Sequence, residues 1–245
     1  MARIGNFTSS EIVKLLADGK KAGTLGAPAI GYIAEKNMER RLCRSLDNDQ
    51  NSRPTSWGNL CESHVFSMLP LDYSTISKNS IPHPSFDFWT GSPDSVCHDY
   101  EPATDGIIKV LTDIKCPFTL KSFCGLVDAW NHDGIAAIRD CHADGEKFYW
   151  QIVSNAIITG CDHGELIVYA PYKSELVLIR ELADMHDVGW IKFANDDELP
   201  WIHDGGYYKN INHFRFPIPQ SDKDKLTARV VECGKQLVQP ELIPA

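Results

Sequence analysis

The chain has 245 residues, 43% of them hydrophobic and 23% charged, a composition that excludes a low-complexity or fibrous protein. No apolar run approaches the roughly 18 residues of a membrane helix, and Met1 to Asn6 lacks the apolar stretch of a signal peptide, so the expectation is a protein of the cell interior with no membrane partner. The net charge of −9 argues at first against nucleic acid, but residues 1–60 hold nine Lys and Arg against six Asp and Glu, leaving −12 on the remainder. A polyanion answers to the local field rather than to the total charge.

In chain order, the hydroxyls Ser9 and Ser10 before the apolar set Ile12, Leu15 and Leu16 predict a capped helix starting at Ser10. Lys20 to Gly26 reads as a loop, and residues 27–46 carry helical periodicity. Lys36, Arg40 and Arg44 then share one face, either a solvated row paired with Glu35 and Glu39 or a stripe facing DNA. Residues 47–56 read as a polar loop and 57–69 as a helix. Short β-type runs broken by Pro82, Pro84, Gly91-Ser92-Pro93 and Pro102 lead to an apolar strand over 106–115 that Pro117 stops. Helices are expected at 121–131 and 145–160, and a hairpin of strands at 164–170 and 174–182 across Pro171-Tyr172-Lys173. Residues 185–215 read as aromatic and irregular, covering the sheet or forming a subunit interface, and 221–238 reads as a last helix. The fold class is α/β or α+β.

The eight cysteines form no CxxC and the nine histidines no HExxH or HxH, so reduced thiols are expected rather than a disulfide framework, a zinc site or an iron–sulfur cluster. Phe86-Asp87-Phe88-Trp89 reads as packing rather than a base-stacking platform.

The informative spacing is Asp113-Ile114-Lys115 at the end of the apolar strand, preceded by Gly91-Ser92-Pro93-Asp94. Residues i and i+2 of a strand point to the same side, so Asp113 and Lys115 face one pocket while Ile114 packs inward. With Asp94 on a neighbouring strand, this would be an oxygen site for Mg²⁺ or Mn²⁺. Spacing alone favours the plainer alternative, a surface ion pair. Two carboxylates about 4 Å apart repel by roughly 4 kcal/mol at an effective dielectric near 20, a repulsion that a cation would remove. Glu62, on a helix and four residues after Gly58, is a third carboxylate whose usual fate would be exposure to solvent.

Five short elements in order, over roughly residues 3–170, resemble a known family. Arg3-Ile4-Gly5-Asn6-Phe7-Thr8-Ser9-Ser10 is similar to its R-x-G-x-(F/I)-T-x-S element, and Gly58-Asn59-Leu60-Cys61-Glu62 to its G-x-x-x-E. Ser92-Pro93-Asp94 resembles the S-P-D turn, Asp113-Ile114-Lys115-Cys116-Pro117 the (E/D)-(L/I)-K-C-P strand end, and Tyr149-Trp150-Gln151-Ile152-Val153 the Y-x-x-Q helix, with one residue rather than two between Tyr149 and Gln151. The family is that of the phage-type recombination exonucleases, including lambda exonuclease and the YqaJ-like viral recombinases, within the PD-(D/E)xK nuclease superfamily. The resemblance implies a single nuclease domain over 1–245, a central mixed β-sheet flanked by helices. Residues 1–60 would be a helical part that binds DNA ends, 57–182 the catalytic core and 183–245 a C-terminal extension in which no motif matches.

The resemblance further implies that Asp94 and Asp113, with the backbone carbonyl of Ile114, bind one Mg²⁺ or Mn²⁺ and that Glu62 completes a second position. Lys115 would hold or activate the attacking water, Gln151 would orient groups beside it, and Arg3 and Ser10 would grip a terminal 5′-phosphate. Asp113 stands where the best-known member has glutamate, shortening that ligand by a methylene. The implied activity is 5′→3′ digestion of linear double-stranded DNA, leaving 3′ single-stranded tails for recombination. A homo-oligomeric ring, a trimer by the same resemblance, and a single-strand annealing protein are the implied partners. The implied setting is the cytoplasm of a bacterial host, where a phage could encode the chain. The alternatives are a restriction-type or structure-specific endonuclease, which needs no terminal-phosphate pocket, and a non-catalytic module that holds DNA ends.

Overall fold

A computed structural model of the protein describes residues 3–46, 52–70, 72–74, 80–102 and 105–239. Its centre is a four-stranded sheet in the order β4 (Ser95–Glu101), β5 (Gly106–Lys115), β6 (His163–Tyr169) and β7 (Ile211–Pro217). β5 runs antiparallel to β4 and parallel to β6, and β7 is antiparallel to β6. The sheet is therefore mixed, as expected.

Both faces of this sheet are covered, and the alternation along the strands shows how. Leu111, Leu166 and Val168 enter one core with α3 (Leu120–Cys141), α4 (Gly145–Thr159) and α7 (Gln220–Gly234). Ile114, Ile167 and Tyr169 enter the other with α2 (Arg53–Met68), α5 (Leu176–Met185) and α6 (Gly189–Phe193). A one-residue slip of β5 would exchange Leu111 and Ile114 between cores and turn Asp113 and Lys115 over with them. Burial of these two side chains, worth about 2 kcal/mol each, thus sets the direction of the charged pair.

A smaller sheet joins the N-terminus to this body. β1 (Phe7–Thr8) lies parallel to β3 (Trp89–Gly91), which pairs antiparallel with β2 (Ile81–Pro82). Trp89 is fully buried, with Phe86 and Phe88 packed against the same core, so this stretch is packing.

The expected N-terminal helix is a 3-10 helix, Ser9–Leu16, that begins one residue earlier than expected with Thr8 in the N-cap position. Its buried residues, Ser9, Ile12 and Leu15, recur every three positions, the period of that helix rather than of an α-helix. α1 spans Ala27–Leu42, shorter than expected because Cys43 turns left-handed with φ +51°. α2 starts inside the expected loop, where the Ser52 hydroxyl accepts from the Thr55 N–H and Pro54 suits the first turn; residues 47–51 lie outside the described residues. α3 runs past 131 to Cys141 across a kink at Asp133 and Gly134.

The expected strand over 174–182 is a helix. Glu175 accepts the Tyr172 N–H at 2.6 Å, and from Leu176 the buried residues fall at 176, 179 and 183, a helical period that the β-branched residues obscure. β6 consequently has no hairpin partner and pairs instead with β7, a strand within the stretch read as irregular. That stretch also holds α6, and its Trp190 and Trp201 pack against the second core as a cover for the sheet. All eight cysteines are free thiols. Among the described residues no helix is long and apolar enough to cross a membrane.

Of the basic row, Lys36 is paired with Glu35 and Glu39 as expected but is buried rather than solvated, Arg40 is half-buried, and Arg44 lies past the end of α1 and is exposed. Lys36 and Glu39 are 5% and 1% exposed. Glu39 Oε2 accepts from Lys36 Nζ at 3.0 Å and from the Gly5 N–H at 2.8 Å, while Arg40 Nε donates to the Gly5 carbonyl at 2.7 Å. Gly5 has φ +68°, and a Cβ there would fall 2.3 Å from Arg40 Cγ, so glycine is required at this position. These contacts fasten the segment that carries Arg3. Replacing Glu39 by alanine removes the main partner of a buried ammonium, an expected loss of about 3 kcal/mol, to be read as a lower urea midpoint at unchanged slope.

Candidate active site

The site forms at the C-terminal end of β5. On the β4 side, β5 is paired only as far as Thr112, which faces Ser95. At Ile114 the neighbouring strand has already turned away, and Asp94, the residue just before β4, supplies the missing acceptor: its Oδ2 takes the Ile114 N–H at 2.7 Å. The Ser-Pro-Asp turn thereby carries a carboxylate to the strand end.

Asp113 is 1% exposed. Its Oδ1 accepts from Gln151 Nε2 at 2.7 Å, and its Oδ2 lies 2.6 Å from Lys115 Nζ. Lys115 Nζ also reaches Gln151 Oε1 at 3.4 Å and sits 5.2 Å from the Phe148 ring centre. Gln151, from α4, thus spans the ion pair, donating to the acid and accepting from the base. Glu62, from α2, accepts no hydrogen bond among the described residues and joins the group through its charge.

The electrostatics follow from gathering three acids about one cation, with Asp113 buried and Glu62, Asp94 and Lys115 half-buried. Burial lifts the Asp94 carboxyl well above the usual carboxylate range, and Asp113 and Glu62 add to the shift against the opposing pull of Lys115 and the Ile114 N–H. Glu62 is raised by burial and by Asp113. Burial pulls the Lys115 ammonium down, but Asp113, Asp94 and Glu62 outweigh it and leave the group above its ordinary value. Lys115 is therefore a fixed positive charge and hydrogen-bond donor at neutral pH.

This donor set fits a hard cation. Asp113 Oδ2 is buried and accepts no directed hydrogen bond, and the acids available are all oxygen donors. Among the described residues no group of three His, Cys, Asp or Glu side chains stands close enough to cage an ion. An ion that keeps several waters and is completed by substrate phosphate, as Mg²⁺ does, needs no such cage.

The remaining expected residues converge on the same place. Arg3 Nη2 donates to Ser92 Oγ at 2.7 Å and Arg3 Nε donates to Ser80 Oγ, while Ser10 Oγ lies 3.3 Å from Thr8 Oγ1. Arg3, Ser10, Ser92 and Gln151 line one small pocket of about 50 Å³. Gln151 is a wall of this pocket and a partner of Asp113 at once. Thr8 and Ser92 stand in motifs already visible in the sequence, whereas Asn155 in the same lining was signalled only by its position one helical turn after Gln151.

No family model matches the sequence, and no curated protein does. Among solved structures, an alkaline exonuclease from Laribacter hongkongensis, LHK-Exo, superposes with a TM-score of 0.56 at 15% identity, over 96% of this chain and 91% of that one. The same enzyme in complex with dAMP gives 0.54 at 17%, over 95% and 87%. A phage-related exonuclease from Haemophilus somnus 129PT gives 0.54 at 16%, over 94% and 92%. This chain shares their fold. Coverage of 94–96% of this chain extends beyond residues 3–170, where the short motifs lie.

Because the folded Asp94 holds its proton more tightly than the unfolded chain does, its contribution to stability is full below the unfolded value near 3.9 and is lost as pH rises from there through its higher folded value. Asp94→Asn, which keeps an acceptor for the Ile114 N–H, is expected to raise the melting temperature in chelator at pH 7 by several degrees and to leave it unchanged near pH 3.5. Equal shifts at both pH values would show that the repulsion is not what the substitution relieves.

Proposed function

We propose that this protein is a divalent-metal-dependent exonuclease that enters linear double-stranded DNA at a 5′-phosphorylated end and proceeds 5′→3′. The observation that supports this reading is Gln151, which at one end braces Asp113 and Lys115 and at the other lines the pocket of Arg3 and Ser10. A strand whose terminal phosphate occupied that pocket would meet the carboxylates within the reach of its first nucleotide. The fold shared with an alkaline and a phage-related exonuclease is consistent with the reading.

Asp94, Asp113 and the Ile114 carbonyl would hold Mg²⁺ or Mn²⁺, with Glu62 available for a second ion. Such an ion polarises the scissile phosphate and makes water a better nucleophile. Lys115, an ammonium held by Asp113 and Gln151, donates to the phosphate oxygen on which negative charge grows. As an ammonium it cannot take the proton of the attacking water, so that proton passes to a carboxylate. In the end pocket, Arg3 presents a planar pair of donors suited to a phosphate, and the N–H groups of the 3-10 helix start add a partial positive charge.

On linear duplex DNA the wild type is expected to require Mg²⁺ or Mn²⁺ and to stop in excess EDTA. Asp94→Ala, Asp113→Ala and Lys115→Ala should each lower turnover at least a hundredfold, and Arg3→Ala should equalise the rates on 5′-phosphate and 5′-hydroxyl ends. Nicking of closed circular DNA would favour the endonuclease, and metal-independent end binding without turnover the non-catalytic module.

We also propose a homo-oligomer, a ring around the duplex by resemblance, feeding its 3′ tails to an annealing protein. Supporting self-association is a set of apolar side chains on α1: Ile30, Met38 and Leu42 are each at least 50% exposed, at spacings of eight and four residues. Light scattering should give a multiple of the chain mass. A monomer that digests processively would rule out enclosure.

A further inference from the structure

The pocket contains one group that neither the fold nor the ion pair accounts for. Asn155 is wholly buried on α4, one turn beyond Gln151, and lines the pocket beside Arg3, Ser10 and Gly91. Neither its Oδ1 nor its Nδ2 has a hydrogen-bond partner. The polar groups packed around it are all satisfied: Ser9 Oγ lies 2.8 Å from Ser154 Oγ and 3.4 Å from the Thr90 carbonyl, and Trp89 Nε1 donates to Ser154 Oγ at 2.9 Å. A buried amide with both ends unpaired is rare in a native wall and calls for a partner from outside the chain.

Gly91 is what opens the pocket to this amide. A Cβ at position 91 would fall 2.2 Å from Asn155 Oδ1 and 2.8 Å from Ser9 Oγ, so any side chain there would close over Asn155. The glycine of the Gly-Ser-Pro-Asp turn thus keeps the depth of the pocket available, while Ser92 and Asp94 of the same turn serve its rim and the carboxylate site.

We propose that Asn155 is a further ligand of the terminal phosphate monoester: its carboxamide, whose Oδ1 faces Gly91, turns over without breaking any hydrogen bond, and its Nδ2 then donates to the innermost phosphate oxygen. This rests on the reading of the pocket as the 5′-phosphate site. A lining of hydroxyls, amides and one guanidinium, with no aromatic or aliphatic side chain, suits a phosphate group rather than a nucleoside. A monoester has three terminal oxygens and a charge of about −1.5 to −2 at pH 7, whereas an internal phosphodiester has only two non-bridging oxygens. Arg3 and the rim hydroxyls can serve the outer two, and Asn155 at the base serves the third, which only a strand end possesses. A neutral donor at that depth separates an end from an internal phosphate by geometry, without adding charge that would hold any backbone phosphate.

The test compares initial rates on linear duplexes with 5′-phosphate or 5′-hydroxyl ends for the wild type, Asn155→Ala, Asn155→Asp and Arg3→Ala, together with the thermal shift that inorganic phosphate induces in each protein in chelator. The ratio of the two rates is expected to fall about tenfold in Asn155→Ala and further in Asn155→Asp, whose carboxylate repels the phosphate, and both variants should lose the phosphate-induced shift. A purely structural asparagine would change melting temperature and both rates together and leave the ratio intact. If the folded Asn155 variants keep the wild-type ratio while Arg3→Ala collapses it, the assignment of Asn155 is wrong and the pocket stands. If Arg3→Ala also keeps the ratio, the pocket reading itself fails. Should Asn155→Asp not fold, Asn155→Ser answers the same question through the ratio and the phosphate shift.

Discussion

One ammonium placed among three acids, at a strand end from which water is largely withdrawn, is the constraint on which this structure is organised. Lys115 alone does not neutralise Glu62, Asp94 and Asp113, and the high proton affinity of Asp94 and Glu62 measures the imbalance. Such an arrangement is costly for folding and useful for binding a cation, since the repulsion that weakens the empty site is released when positive charge arrives. Its persistence requires a scaffold that cannot relax. β5 supplies that scaffold by burying Leu111 on one face and Ile114 on the other, and Gln151 prevents the pair from rotating away.

The second structural demand is to bring a segment from the start of the chain to this strand end. Parallel pairing of β1 with β3 carries Arg3 toward the Ser-Pro-Asp turn, and the buried Lys36, Glu39 and Arg40 group holds Gly5 from the other side. Lys36 and Arg40, two of the three residues that look like a DNA-facing stripe, serve this attachment. Among the described residues, the positive charges that the site brings together are those of Arg3 and Lys115. The same attachment brings Arg3 and Ser10 to one pocket with Gln151.

Legibility from sequence followed the range of the interaction. The apolar strand over 106–115, the helix ending at Gly160 and the last helix were visible because their signals lie within a few residues. The run from 174 to 182 misled because Val177, Leu178 and Ile179 favour a strand locally, while burial at 176, 179 and 183 is settled by α2 and the loop around Leu199 packing against it. β7 was hidden because Asn212, His213 and Arg215 interrupt its apolar pattern; His213 and Arg215 are there to pair with the buried Glu165 carboxylate of β6. Asn155 carries no motif at all, and its interest comes from having no partner, which no sequence displays.

By itself the sequence determined that Asp113 and Lys115 share a side of one strand with Ile114 opposed, because the two-residue alternation of side chains is built into the extended backbone. It also determined the order of the short motifs and hence which residues were candidates. Only the tertiary structure decided that these candidates meet: that Asp94 caps the end of β5, that Gln151 joins the ion pair to the pocket of Arg3, and that Asn155 lies buried and unpartnered behind Gly91. Each of those facts depends on distances between residues tens of positions apart. Such distances are set by how two cores close on the faces of one sheet, not by the local conformational preference of any single segment.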